Sequence, residues 1–308
     1  MKDRPGKTIK TGFGDEPARP SIDYCRCTSC GLCARVCKSF TILDVDGRPE
    51  IFPDNGLGCI GCAQCMLVCP RSAISVTGRG VDPEYSFPLP KKNERASLGA
   101  LYNLLASRRS VREFSDRPVE KASIEKIISV ASTAPMGLPP SDVGVVAVMS
   151  TERVWELAGD ICGIFKKWLI FDNPVIKTLA VPFMKKTDAE MMEGFVIPAL
   201  RAITEARSDT TDYLFYHAPC VLLFHQSPYA DPVDGSIACT YAMTAAEAIG
   251  LGSCMIGTVS FAINREKRLK RKWGIPDKNS VSLAMILGYP AFRYSRGIRR
   301  SFASVQYL

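Results

Sequence analysis

Cys27-Thr28-Ser29-Cys30-Gly31-Leu32-Cys33-Ala34-Arg35-Val36-Cys37 and Cys59-Ile60-Gly61-Cys62-Ala63-Gln64-Cys65-Met66-Leu67-Val68-Cys69-Pro70 share one spacing, C-x2-C-x2-C-x3-C, and only the second run is followed by proline. Of 13 cysteines in 308 residues, nine lie between Cys25 and Cys69, whereas Cys162, Cys220, Cys239 and Cys254 stand singly. Disulfide scaffolds belong to short exported chains. A chain long enough for two domains, with a polar N-terminus lacking the apolar core of a signal peptide, gathers thiols at one end to bind metal. Zinc sites set two C-x2-C hooks across a longer loop, while here four cysteines fall within eleven residues.

The doubled run resembles the signature of bacterial two-cluster ferredoxins. That resemblance implies Cys27, Cys30, Cys33 and Cys69 around one 4Fe-4S cluster, with Cys59, Cys62, Cys65 and Cys37 around a second, the fourth cysteine of each run crossing over. Lys38 replaces the proline expected after the first run. Cys25 is out of register and reads as a small buried hydrophobe. Between the runs, Ile42, Leu43, Val45 and Ile51 flank Asp46-Gly47 and predict a hairpin, and Ala73 to Val76 predicts a strand. So few apolar side chains leave much of the folding energy of this part to the metal.

Composition changes at Gly78 to Lys92, where Gly78, Gly80, Pro83, Pro88 and Pro90 mark a linker. The expected organisation is therefore a tail over 1–20, a cluster domain over 21–86 and a second domain over 87–308. In the latter, Ser97 caps a helix with Leu98, Leu101, Leu104 and Leu105 on its apolar side, and that helix runs into Arg108-Arg109-Ser110-Val111-Arg112. A second helix is predicted at Ser123 to Ser132 and a third at Ser236 to Ile249. Buried strands are predicted at Val143 to Met149, Val221 to Phe224 and Val281 to Leu287.

Arg108 to Arg112, Ala134-Pro135-Met136-Gly137, Gly250-Leu251-Gly252-Ser253-Cys254-Met255-Ile256-Gly257 and Gly288-Tyr289-Pro290 stand in the order of motifs in the nitroreductase family, which this half resembles. The resemblance implies an α+β sandwich with a central, mostly antiparallel sheet and helices around it. It further implies FMN held by Arg108, Arg109 and Ser110, with Arg112 near the pyrimidine edge, Pro135, Met136 and Gly137 over the ring, and the backbone of Cys254, Met255, Ile256 and Gly257 facing it. A basic residue, Arg296 first and Arg293 second, is implied at the phosphate, and a homodimer along the Ser236 to Ile249 helix. Physical chemistry agrees: arginine forks suit phosphate oxygens, and a cation near the pyrimidine edge stabilises reduced flavin. The sequence departs from the family at Met136 to Asp142, which carries neither the Asn nor the Gln that many members use there.

The remaining features are less pointed. His217 and His225 read as structural, and no catalytic residue is singled out. No G-x-G-x-x-G follows a predicted strand, so NAD(P)H would bind over the flavin. Asp160 to Met192 suits a lid or plain helical packing equally. Glu247 and several glycines interrupt Ala242 to Ile263, which argues against a membrane span and for a cytoplasmic protein. The formal charge of +8, with 39 Lys and Arg against 31 Asp and Glu, includes eleven basic residues between Arg265 and Arg300. No aromatic platform accompanies them, so an anionic cofactor or an acidic redox protein is expected there rather than nucleic acid. Two clusters and FMN, at about −2 each, would bring the loaded protein to roughly +2. The whole reads as an oxidoreductase relaying electrons between two 4Fe-4S clusters and FMN to reduce a nitroaromatic, quinone or activated alkene. The alternative is an electron-transfer or regulatory module with a degenerate flavin site.

Overall fold

The structure, a computed structural model, describes residues 17–137, 141–176, 184–208 and 211–308. The chain divides into two compact units. The first runs to Arg95 and takes in Pro135–Val143 and Gln226–Asp234, and the second comprises Ala96–Ala134, Gly144–His225 and Gly235–Leu308.

In the first unit, strands β1 (Arg19–Ile22), β2 (Ile42–Val45), β3 (Arg48–Ile51) and β4 (Ile74–Thr77) form two antiparallel pairs, β1 with β4 and β2 with β3. The β2–β3 turn has Asp46 at φ 50° and Gly47 at φ 81°, the doubly positive geometry that a two-residue hairpin requires. Helices α1 (Leu32–Val36) and α2 (Gln64–Val68) are each entered through a left-handed residue, Gly31 and Ala63, and each exits at the last cysteine of its run. Among the described residues, Ala18, Ile42, Cys65, Ile74 and Val76 form a small buried apolar cluster in this unit. Strand β1 starts inside the stretch expected to be tail. Cys25 is exposed rather than buried, contrary to expectation, because its N–H is drawn to Asp23 Oδ1 at 2.9 Å in a surface turn.

The second unit opens with α3 (Leu98–Ser107), capped as expected by Ser97, whose Oγ accepts from Ala100 N–H at 3.1 Å. Helix α4 (Lys121–Ala131) buries Ile124, Ile127 and Ala131. Strands β5 (Val143–Met149), β6 (Cys220–Gln226), β7 (Gly252–Ile256) and β8 (Ser280–Gly288) form one sheet in the order β5-β6-β8-β7, with β7 antiparallel to β8. Every residue of β6 is buried, and Cys220 to Phe224 accordingly form an apolar run instead of an alternation, followed by the buried polar His225 and Gln226. Helix α5 (Thr151–Trp168) lays Val154, Leu157, Ala158, Ile161 and Phe165 into the core. Helices α6 (Lys186–Met191) and α7 (Ile197–Ser208) are joined by a π-turn, and α8 (Asp234–Ala248), α9 (Thr258–Arg265) and α10 (Lys267–Lys272) complete the described elements.

This is the expected α+β architecture, a central antiparallel sheet flanked by helices. Of the aromatic residues read as lid or packing, Phe165 is core and packs on Trp168, while Phe183 lies outside the described residues. No helix among the described residues is long and apolar enough to cross a membrane.

Candidate functional site

The segment following α3 is stitched to two distant parts of the second unit. Ser110 bridges Ser253, and Val111 N–H donates to Ser253 C=O at 3.0 Å; Ser115 N–H donates to Tyr289 C=O at 2.9 Å, and Ala291 N–H to Glu113 C=O at 3.1 Å. Gly252 makes this closeness possible. A Cβ there would stand 2.6 Å from Val111 Cγ2 and 2.9 Å from Pro290 Cγ, so glycine is required for the close approach.

These three segments wall a cavity of about 790 Å³ whose lining includes Arg109, Gly250, Gly252, Tyr289, Arg293 and Arg296. The Arg109 guanidinium spans it, donating to Arg108 C=O at 2.7 Å and to Arg296 C=O at 3.4 Å. Tyr289 is fixed from outside: its hydroxyl donates to Glu120 Oε2 at 2.8 Å, and the Arg117 guanidinium lies 3.8 Å from its ring centroid. The Tyr289 hydroxyl, with help from Arg117, holds the Glu120 carboxyl down at about 2. A basic cavity rimmed by glycine backbone suits an anionic, planar ligand.

The other expected flavin residues are placed as follows. Ser110 and Arg112 are exposed and outside the cavity lining, and the Arg112 guanidinium is 5.8 Å from the Tyr216 ring centroid. The Cys254 side chain is buried in the main core, leaving its backbone as the only part able to face a ligand. Met255 and Ile256 are half-buried, and Gly257 is exposed at the start of α9. Pro135, Met136 and Gly137 belong to the first unit, where Gly137 N–H donates to Asp234 Oδ1 at 3.0 Å. Glu247, on the cavity wall, escaped sequence reading because an acidic residue on an apolar helix gave no sign of facing a ligand.

In the first unit, Cys27, Cys30, Cys33 and Cys69 line one cavity, and Cys37, Cys59, Cys62 and Cys65 line another. Each cavity thus draws three thiols from one run and one from the other. Among the described residues, no group of His, Cys, Asp or Glu closes on a single metal ion. A four-cornered cluster is wider than one ion, and four thiols around a shared hollow is the donor set it needs. Ser29 N–H points to Cys27 Sγ at 3.4 Å and Ala73 N–H to Cys69 Sγ at 3.2 Å, while Cys37 Sγ and Ser39 Oγ are 3.5 Å apart. Burial pushes the Cys33 and Cys59 thiols up, and Cys65 up to about 12. A free thiol would stay protonated there, and metal is what makes it a thiolate.

His217 stacks on Trp155, and His225 Nδ1 lies 3.0 Å from Asn279 Nδ2 inside the core, in keeping with structural roles. Part of the basic C-terminal stretch is already engaged. Arg271 pairs with Asp277 and Lys272 with Glu156 and Asp160, while the buried Lys270 ammonium donates to Asn279 C=O at 2.7 Å.

The chain thus combines a glycine-rimmed arginine cavity in its α+β unit with a unit whose two cavities are each lined by four cysteines. Residues 105–289 match the nitroreductase family and residues 26–74 match the 4Fe-4S dicluster domain. The chain belongs to the nitroreductase family. An FMN reductase (NAD(P)H) of Bacillus subtilis (strain 168) is 26% identical over 195 residues, covering 62% of this chain and 66% of that protein, so the match spans just under two thirds of the relative. A nitroreductase of Bacteroides fragilis NCTC 9343, crystallised with FMN, shares the fold at a TM-score of 0.51 and 20% identity, over 68% of this chain and 97% of its own.

Proposed function

We propose that this chain is an FMN-dependent iron-sulfur oxidoreductase that reduces an organic acceptor, a nitroaromatic, quinone or activated alkene. The observation carrying this reading is the meeting of three separate motifs on one cavity with Arg109, Arg293 and Arg296 in its wall. When bound, FMN supplies the exchange between one-electron and two-electron transfer.

The protein's own groups do the rest. Arg109 and Arg296 offer forked donors to the phosphate, Arg108 and Ser110 flank them, and Gly250 to Gly252 admit the ligand against bare backbone. Met255, Ile256 and Gly257 present main chain to the ring, and Arg112 places a positive charge near its pyrimidine edge. The buried Cys254 thiol takes no part in the chemistry. In the first unit, the two four-cysteine walls would hold one 4Fe-4S cluster each. The electron donor is NAD(P)H, as the name of the Bacillus relative suggests, or an acidic redox protein drawn to the basic C-terminal stretch. The active form is a cytoplasmic homodimer joined along α8, whose Tyr241 is exposed in the single chain.

The test is an anaerobic assay of iron, sulfide and FMN per chain, followed by a screen of donors against the three acceptor classes. About eight irons and one FMN per chain, with turnover, are expected. A chain that binds no FMN after reconstitution sinks the reading. The second reading, an electron-transfer module without turnover, is favoured by the missing amides in Met136 to Asp142; it predicts bound clusters with no acceptor reduction from any donor.

A further inference from the structure

Arg79 follows the cluster motifs by ten residues and belongs to neither. It is nonetheless only 2% exposed, in a unit whose apolar core cluster is small. The chain turns sharply to put it there: Gly78, Arg79 and Gly80 have φ of 85°, 56° and 74°, and Val81 N–H closes the turn on Gly78 C=O at 3.1 Å. A left-handed arginine is strained, and glycine on both sides lets the backbone make the turn. Gly61 packs against it, since a Cβ built there would lie 3.7 Å from Arg79 Cβ. Gly61 lies between Cys59 and Cys62, so Arg79 packs on the loop that carries two of the cysteines of the second cavity. Burial lowers the Arg79 pKa, and the charge of Cys59 opposes that shift, so the guanidinium and this thiol are within electrostatic reach.

The other cavity is different. Its arginine, Arg71, is exposed to solvent, which screens its charge. The second cavity carries the buried Ser39 and Thr41 hydroxyls, 3.1 Å apart, on its wall, and the buried Arg79, though not itself in that wall, packs against Gly61 of the same cysteine run. Cluster potentials follow nearby charge, hydrogen bonding to sulfur and exposure. One electron taken from the reductant adds one negative charge to a cluster and its thiolates, with no bond broken and no proton required. A buried cation next to those thiolates favours the added charge far more than a solvated one does.

We infer that Arg79 sets the potential of the cluster at Cys37, Cys59, Cys62 and Cys65, making it the higher-potential centre of the two and the one where electrons collect. This rests on the two-cluster reading proposed above, so the experiment begins with iron and sulfide content and a dithionite redox titration of the full chain followed by electron paramagnetic resonance. A wild-type content below two clusters refutes that reading, whereas two clusters sharing one midpoint refute the role of Arg79. With two clusters and two midpoints, Arg79→Gln should lower the upper midpoint by at least a tenfold change in the one-electron equilibrium, about 59 mV, and leave the lower one in place. Arg79→Lys, which keeps the charge, and Arg71→Gln, which removes a solvated one, should each shift it by much less. Unchanged midpoints in Arg79→Gln overturn the inference, as do equal shifts in both. If Arg79→Gln fails to retain iron, Arg79→His decides: its upper midpoint should become pH-dependent as the imidazole loses its proton, and a pH-independent midpoint equal to the wild type overturns the inference.

Discussion

Val111 donates its backbone N–H to the carbonyl of Ser253 at 3.0 Å, a bond between residues far apart in sequence that fixes the arginine motif against the glycine-rich strand β7. The position of Arg109 in the cavity wall depends on this seam, and the seam depends on the missing side chain of Gly252.

Gly252→Ala should therefore damage stability and ligand retention together. The added methyl would overlap Val111 and Pro290, and overpacking of this kind costs about 1–3 kcal/mol. Thermal unfolding of the purified variant should show a lower midpoint and flavin should be lost on gel filtration. A variant as stable as wild type would show that the seam can open freely.

Arg109→Gln and Arg296→Gln test the phosphate end. Loss of one charge-assisted bond, about 1.5–3 kcal/mol, should weaken FMN binding by roughly ten- to a hundredfold. Riboflavin, which lacks the phosphate, should bind the variants and the wild type about equally. An equal loss for both ligands in a fluorescence titration would move the phosphate elsewhere.

Glu120 and Tyr289 make the cavity wall sensitive to acid. Glu120 is held at about 2, below its ordinary 4.5, first by the Tyr289 hydroxyl and then by Arg117. A carboxyl depressed on folding adds stability above its unfolded value and loses that contribution as pH falls through the folded value. Between about 4.5 and about 2 the wild type should thus lose more stability than Glu120→Gln, which has no charge to lose. Urea midpoints at pH 7 and pH 3 make the comparison, and parallel losses would rule out the role of Glu120.

Arg112→Ala should lower the FMN midpoint, because it removes a cation that favours reduced flavin, while Arg112→Lys should keep it close to wild type. An unchanged midpoint with FMN still bound would place that cation elsewhere.

Cys30→Ala separates the two proposed routes of electrons. Iron content should fall, and acceptor reduction driven by a low-potential donor through the clusters should drop sharply, while reduction driven by NAD(P)H directly at the flavin continues. Undiminished cluster-driven turnover would exclude the relay.

Much of this was readable from the chain because the relevant signals are local. Asp46-Gly47 between alternating apolar residues dictates the hairpin, and the all-apolar Val221 to Phe224 could only be a buried strand. The arginine, glycine-rich and Gly-Tyr-Pro segments were visible as motifs, and the structure adds that they share a cavity. What stayed hidden depends on partners distant in sequence. Strand β1 is just Arg19-Pro20-Ser21-Ile22, and it forms because β4 lies alongside it. The Pro135–Val143 segment joins the first unit, where Asp234, far along the chain, ties down Gly137. Arg79 looked like linker because nothing in Gly78-Arg79-Gly80 says that the side chain points inward.

The crossed walls of the first unit also bear on how the protein is made. Cys37, Cys59, Cys62 and Cys65 line one cavity, and Cys27, Cys30, Cys33 and Cys69 the other. On a ribosome, which delivers the chain from its N-terminus, a cluster held by the earliest triplet, Cys27 to Cys33, would lack its fourth thiolate until Cys69 emerges. The set that includes Cys37 is complete four residues earlier, at Cys65. Cluster insertion during synthesis would therefore run opposite to sequence order, with the first cysteines made being the last to be closed.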